Sequence, residues 1–189
     1  MDIFAHTLWT NAAARGANKL AEKKNKNFHL NVAWAAFWGV FPDLFAFSIP
    51  FAVRIISLLT GSTALSNFLQ RPPVAEEGLH NSFTGFDLAH NLYQYSHSLV
   101  IWAVVFLIVW AFYKRPRYEL LGWALHILID IPSHALAFYP TPFLFPISDY
   151  RFPYGISWSN QWYMIINYSA LVLVWGGIMW KKFAKKKVI

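Results

Sequence analysis

The chain has 189 residues, of which 57% are hydrophobic, 19% aromatic and only 13% charged. Soluble domains carry roughly 45–50% apolar and about 25% charged residues, so the composition argues for a membrane protein. The net charge is +7 and cysteine is absent. Disulfides and thiolate metal sites are therefore excluded. The basic residues sit in short clusters beside apolar runs, which makes them topology signals rather than a nucleic-acid surface.

The N-terminal MDIFAHTLWTNAAARGANKL has an acid at position 2 and its basic residues later, the reverse of a secretory signal. Residues 2–24 space Ile3, Phe4, Leu8, Trp9, Ala12, Ala13 and Leu20 as an amphipathic helix ending in lysines. Residues 28–49 are apolar over a spanning length, with Pro42-Asp43 near the far end. Residues 51–69 are a weaker apolar piece carrying Arg54, expected either not to cross or to form a hairpin-like piece on the outer side. Residues 70–91, with Pro-Pro and glycines, read as a polar loop. Residues 98–113 are the clearest membrane segment, followed by Lys-Arg-Pro-Arg at 114–117, and residues 118–136 form a further apolar helix. Residues 138–161, rich in proline and aromatics, are an irregular lid. Residues 162–180 are a last span with Trp and Tyr at its ends, followed by a lysine-rich tail. The expected fold is all-α: one domain over residues 1–189, a polytopic membrane helical bundle with about four to six embedded helices.

Basic clusters mark the cytoplasmic side. Placing Lys23–Lys26, Lys114–Arg117 and Lys181–Lys187 there gives consistent alternating directions for the segments and a cytoplasmic C-terminus. On a rise of about 1.5 Å per residue, His97 then lies about 25 Å from Lys114, and Asp43 about 20 Å from His29. Asp130 and His134 lie about 16 and 22 Å from Glu119, and His6 about 20 Å from Lys19. Four segments bring acids or imidazoles to the outer half of the membrane. His126, Asp130 and His134 share one helix face at i, i+4, i+8, and Asp2 and His6 repeat the i, i+4 spacing. A single membrane histidine is ordinarily a hydrogen bond between helices. Aspartates in spans need partners, and their convergence with histidines points to a metal or proton site. His80, Asp87 and His90 are irregularly spaced and read as solvated surface. Ser98 beside His97 does not make a nucleophile–base pair by adjacency.

MDIFAH (1–6), GVFPDL (39–44), YSHSL (95–99), GWALHILID (122–130) and PTPFLFPIS (141–148) occur in this order. With them the chain resembles the membrane-bound metal-dependent hydrolase family. The resemblance implies His6, Asp43, His97, His126 and Asp130 as metal-site residues, with Asp2 and His134 matching some versions of the pattern. Many members carry a His-Arg pair shortly before His-Ser; here that stretch is NLYQY, and His90 is the available stand-in. A more distant likeness is to the zinc-dependent phospholipase C and single-strand nuclease fold, which also carries His-x-x-x-Asp and a further histidine.

The resulting expectation is a hydrolase of the bacterial inner membrane with its site toward the outer side. It would use a divalent metal, zinc or alternatively manganese, on a phosphoester or phospholipid substrate, with membrane lipids rather than nucleic acid as partners. Asp43 or Asp130 would serve as base or bridging ligand, and Arg151 in the lid as a phosphate contact. The rivals are a transporter or proton relay, and a non-catalytic membrane protein with a structural metal.

Overall fold

A computed structural model describes residues 1–62 and 86–186. Among these residues the chain is helical, without strands: α1 (Ile3–Lys23), α2 (Val32–Leu59), α3 (Phe86–Ser96), α4 (Leu99–Tyr113), a 3-10 turn (Tyr118–Leu120), α5 (Leu121–Ser133) and α6 (Gln161–Lys186). Three helices start on short polar side chains that take up orphan amides. Asp2 accepts from Ala5 N at 3.0 Å. Asn31 accepts from Ala33 N at 3.1 Å and Trp34 N at 3.2 Å. Ser98 accepts from Val100 N at 3.1 Å and Ile101 N at 3.2 Å.

Two helices are long and apolar enough to cross a membrane, Val32–Leu59 and the Gln161–Trp180 part of α6. A third crossing exists if α3 and α4, bent by 63° at their junction, act as one broken span. The chain is thus an all-helical membrane protein, with fewer spanning candidates than the sequence pattern suggested. Residues 28–49 and 51–59 are not separate pieces: α2 runs through both Pro42 and Pro50. Each proline removes one rung of the ladder, a loss that apolar surroundings and neighbouring helices absorb. The polar loop expected over 70–91 ends earlier, because α3 begins at Phe86; residues 63–85, and His80 with them, lie outside the described part. α5 has only 13 residues, about 20 Å, against a hydrocarbon core of about 30 Å. It ends where His134 turns extended, just after Pro132.

The centre of the bundle is α2, packed against α1, α3 and α5. Small residues let these helices meet closely. A Cβ on Gly39 would stand 2.2 Å from Thr10 Oγ1, and one on Gly122 2.2 Å from the Ala35 carbonyl oxygen. α4 is apolar all round with no buried residue, as expected of a lipid-facing helix. The irregular stretch after α5 closes over the helix ends. Ile156 N and Trp158 N donate to the Pro132 and Ser133 carbonyls at 2.9 and 2.8 Å, and Leu99 N donates to the Phe143 carbonyl at 3.0 Å. These bonds satisfy terminal groups that hydrocarbon would leave unpaired.

Candidate metal centre

The tight α1–α2–α5 contact and the α3–α4 break converge on one buried polar cluster. His97 sits at the break, where the chain leaves α3 and its imidazole turns inward. Asp43 follows Pro42 in the middle of α2, and His126 and Asp130 lie one turn apart on α5. One ligand atom from each of these four buried residues can be chosen so that all lie within 4.8 Å of one another. His97 Nε2 stands 3.0 Å from His126 Nε2 and 3.5 Å from Asp43 Oδ1 and from Asp130 Oδ2. His126 Nε2 stands 3.0 Å from Asp130 Oδ2 and 3.8 Å from Asp43 Oδ1.

The outward bonds of the two imidazoles decide what those Nε2 atoms offer. His126 Nδ1 lies 2.8 Å from the Gly39 carbonyl oxygen, which can only accept, so Nδ1 carries the proton and a neutral ring presents a lone pair at Nε2. Ser96 Oγ lies 2.9 Å from His97 Nδ1 and 3.5 Å from the Tyr93 carbonyl. Accepting from the ring leaves the hydroxyl proton free to point at that carbonyl. With His97 Nδ1 donating to Ser96 in this way, two lone pairs and two carboxylate oxygens would face one another, an arrangement that repels itself unless a cation or protons lie among them. Asp130 Oδ2 is buried and has no hydrogen-bond donor among the described residues. The five distances of 3.0–3.8 Å bracket the ~3.3 Å edge of a tetrahedron built on metal–ligand bonds of about 2.0–2.1 Å. Two imidazoles and two carboxylates form a nitrogen–oxygen donor set suited to zinc or manganese.

Around these four, further polar groups hold Asp130. Its Oδ1 takes His6 Nε2 at 2.9 Å, the Ser133 hydroxyl at 3.3 Å and the Met1 amino nitrogen, with His134 Nδ1 at 3.4 Å. His6 also stacks on His126, centroids 3.7 Å apart. His6 and His134 therefore brace Asp130 on the side away from the other ligand atoms. The remaining sequence candidates lie elsewhere. Asp2 caps α1 and accepts from Tyr168 Oη at 2.9 Å. Arg151 donates to its neighbour Tyr150's carbonyl at 3.3 Å, and among the described residues it makes no contact with the cluster. His90 is exposed on α3, with its Nε2 3.3 Å from Gln94 Nε2. Ser98 is committed to capping α4 and to the Phe145 carbonyl.

Residues that sequence reasoning left unused complete the site: Gly39 through its carbonyl, Ser133 through its hydroxyl and Ser96 behind His97. Gly39 and Ser133 occur within or beside the quoted motifs, yet backbone acceptors and small hydroxyls carry no pattern of their own.

The comparisons agree with the membrane character of the fold. The YdjM inner membrane protein family model matches residues 1–188. The chain belongs to this family. No curated protein and no solved structure matches the chain. The match establishes an inner-membrane protein family, and the buried Asp43–His97–His126–Asp130 cluster gives that family member a candidate metal centre.

Proposed function

We propose that this membrane protein is a metal-dependent hydrolase acting on a phosphoester, and that the phosphoester belongs to a lipid. The observation supporting this is the convergence of four buried ligand atoms: Nε2 of His97 and His126, Oδ1 of Asp43 and Oδ2 of Asp130. A divalent ion there, zinc or alternatively manganese, would lower the pKa of a water toward ~7 and offset charge developing on phosphoryl oxygens.

The carboxylates then differ in role. Asp130 is fully buried with Oδ1 already engaged, so it is a fixed ligand. Asp43 is 12% exposed at its side chain, against 0% for the other three. With His97, His126 and Asp130 as the three protein ligands, the fourth position would be left to water, and the partly exposed Asp43 carboxylate would accept a proton from it. His6 and His134 are positioning residues acting through Asp130.

The proposed orientation is supported by where the basic ends collect. Phe28 packs on Tyr118, centroids 5.4 Å apart, and Asn31 N bonds Glu119 Oε1 at 3.2 Å, so the α1–α2 turn adjoins the Lys114–Arg117 segment. α6 runs alongside α1 in the same direction: Trp9 bonds Asn167, and Arg15 lies over Trp175. All three basic ends thus gather at one end of the bundle, read as cytoplasmic, and the cluster lies toward the other.

A proton relay is the second reading. It is favoured by the continuous path from His6 through Asp130, His126 and His97 to Asp43, with steps of 2.9, 3.0, 3.0 and 3.5 Å. Elemental analysis of the full chain purified in nanodiscs, paired with hydrolysis assays on phosphodiester and phospholipid substrates, separates the two. Stoichiometric metal with metal-dependent turnover supports the hydrolase. Protein that retains no metal and hydrolyses none of these substrates rules it out.

A further inference from the structure

Beside the cluster, between α1, α5 and α6, runs a groove of about 770 Å³. Its wall includes Trp9, Ala13, Ile129, Pro132, Tyr163 and Ala170, and it is overwhelmingly apolar. It opens sideways, because Leu128 and Ile166 line it and are 53% and 67% exposed. α6 is a candidate span, and with α6 in the bilayer that opening would face hydrocarbon. Met1 lines the groove and also touches Asp130 Oδ1 through its amino nitrogen, which places one end of the groove next to the cluster.

One polar residue in this wall is unexplained. Asn167 is buried at 8% exposure, and its Oδ1 accepts from Trp9 Nε1 at 2.8 Å. That bond fixes the amide orientation and leaves Nδ2 as a buried donor without a partner among the described residues. An unpaired buried amide donor is costly, and an acceptor carried in by a ligand would satisfy it. The residue's depth suggests which acceptor. Asn167 lies four residues, about 6 Å, below Tyr163, which with Trp162 starts α6 as an interfacial aromatic pair. Acyl ester carbonyls sit at that level, between headgroup and hydrocarbon.

We infer that the groove seats one acyl chain of an ester-linked membrane lipid, with Asn167 Nδ2 donating to the ester carbonyl. This deepens the lipid-phosphoester reading above: the seated lipid presents its headgroup toward Asp43. The lipid-facing surface of α4 offers no comparable groove residue with an unpartnered buried donor among the described residues.

The test uses the full chain in nanodiscs containing a phosphatidylglycerol with a photoactivatable acyl chain. Label is expected to concentrate on Ile129, Tyr163 and Ala170 over the exposed Phe112 of α4. Ester-linked phosphatidylglycerol should compete about two- to tenfold better than its ether-linked analogue, as one hydrogen bond warrants. Asn167→Leu should erase that preference, and Ala170→Trp should suppress groove labelling while leaving Phe112 labelling and metal content unchanged. Uniform labelling insensitive to Ala170→Trp, equal competition by the two lipids, or cross-linking between copies through the groove would each overturn the inference. Metal content and hydrolysis, measured on the same samples, keep the two proposals separate. Groove labelling without metal sinks the hydrolase alone, and metal-dependent hydrolysis without groove labelling sinks the lipid seat alone.

Discussion

His97 Nε2 and His126 Nε2 face each other at 3.0 Å, while their Nδ1 atoms are held from behind by Ser96 Oγ and the Gly39 carbonyl. Two imidazoles pinned this way behave as preset ligands, because their rings cannot turn away without breaking a buried hydrogen bond.

His126→Ala and Asp130→Ala each remove one of four donors and leave the others facing a gap. Each variant is expected to lose bound metal by at least an order of magnitude relative to the unaltered chain, measured by elemental analysis after identical purification. Full retention by both variants would mean that these residues do not hold the ion.

Ser96→Ala keeps all four ligand atoms and removes only the support behind His97. Outer partners of this kind are worth about 10- to 100-fold in metal affinity. The expected result is weaker metal binding in a chelator competition, with the helical content by circular dichroism unchanged. Unaltered affinity would show that the Ser96 hydroxyl does not orient the ring.

Gly39→Ala inserts a methyl 2.2 Å from Thr10 Oγ1 at the α1–α2 contact. Overpacking there should destabilise the protein by about 1–3 kcal/mol and, because Gly39 O holds His126, weaken metal retention as well. Gly176→Ala is the control, since nothing lies within 4 Å of its added Cβ. Thermal unfolding in detergent should separate the two, and equal midpoints would count against the close packing.

A reporter fused after Ile189 should behave as cytoplasmic, since the C-terminal end of α6 lies with the other basic ends. A reporter active only outside the cytoplasm would reverse the orientation of the whole bundle and put the cluster on the inner side.

The extent of the sequence's reach is visible residue by residue. His126 and Asp130 were legible because i, i+4 spacing on a helix forces two side chains onto one face. Asp43 and His97 were legible because ionisable groups in apolar stretches need partners. Asp2 fitted the same spacing rule, yet it caps α1, since an aspartate just before a helix satisfies an amide more locally than it can satisfy a distant ion. Arg151 had a plausible charge for phosphate, but its place depended on the path of an irregular stretch that no periodicity describes.

Taken alone, the sequence determined the membrane setting, the helical class and the residue types available for a metal, because apolar length and helical spacing are local properties. Tertiary structure alone decided which donors meet. It showed that α2 passes both prolines as one helix, that Gly39 and Gly122 let three helices close to contact distance, and that His6 and His134 brace Asp130 from behind. Those outcomes depend on distances between segments far apart in the chain, and such distances are set by packing rather than by any local pattern.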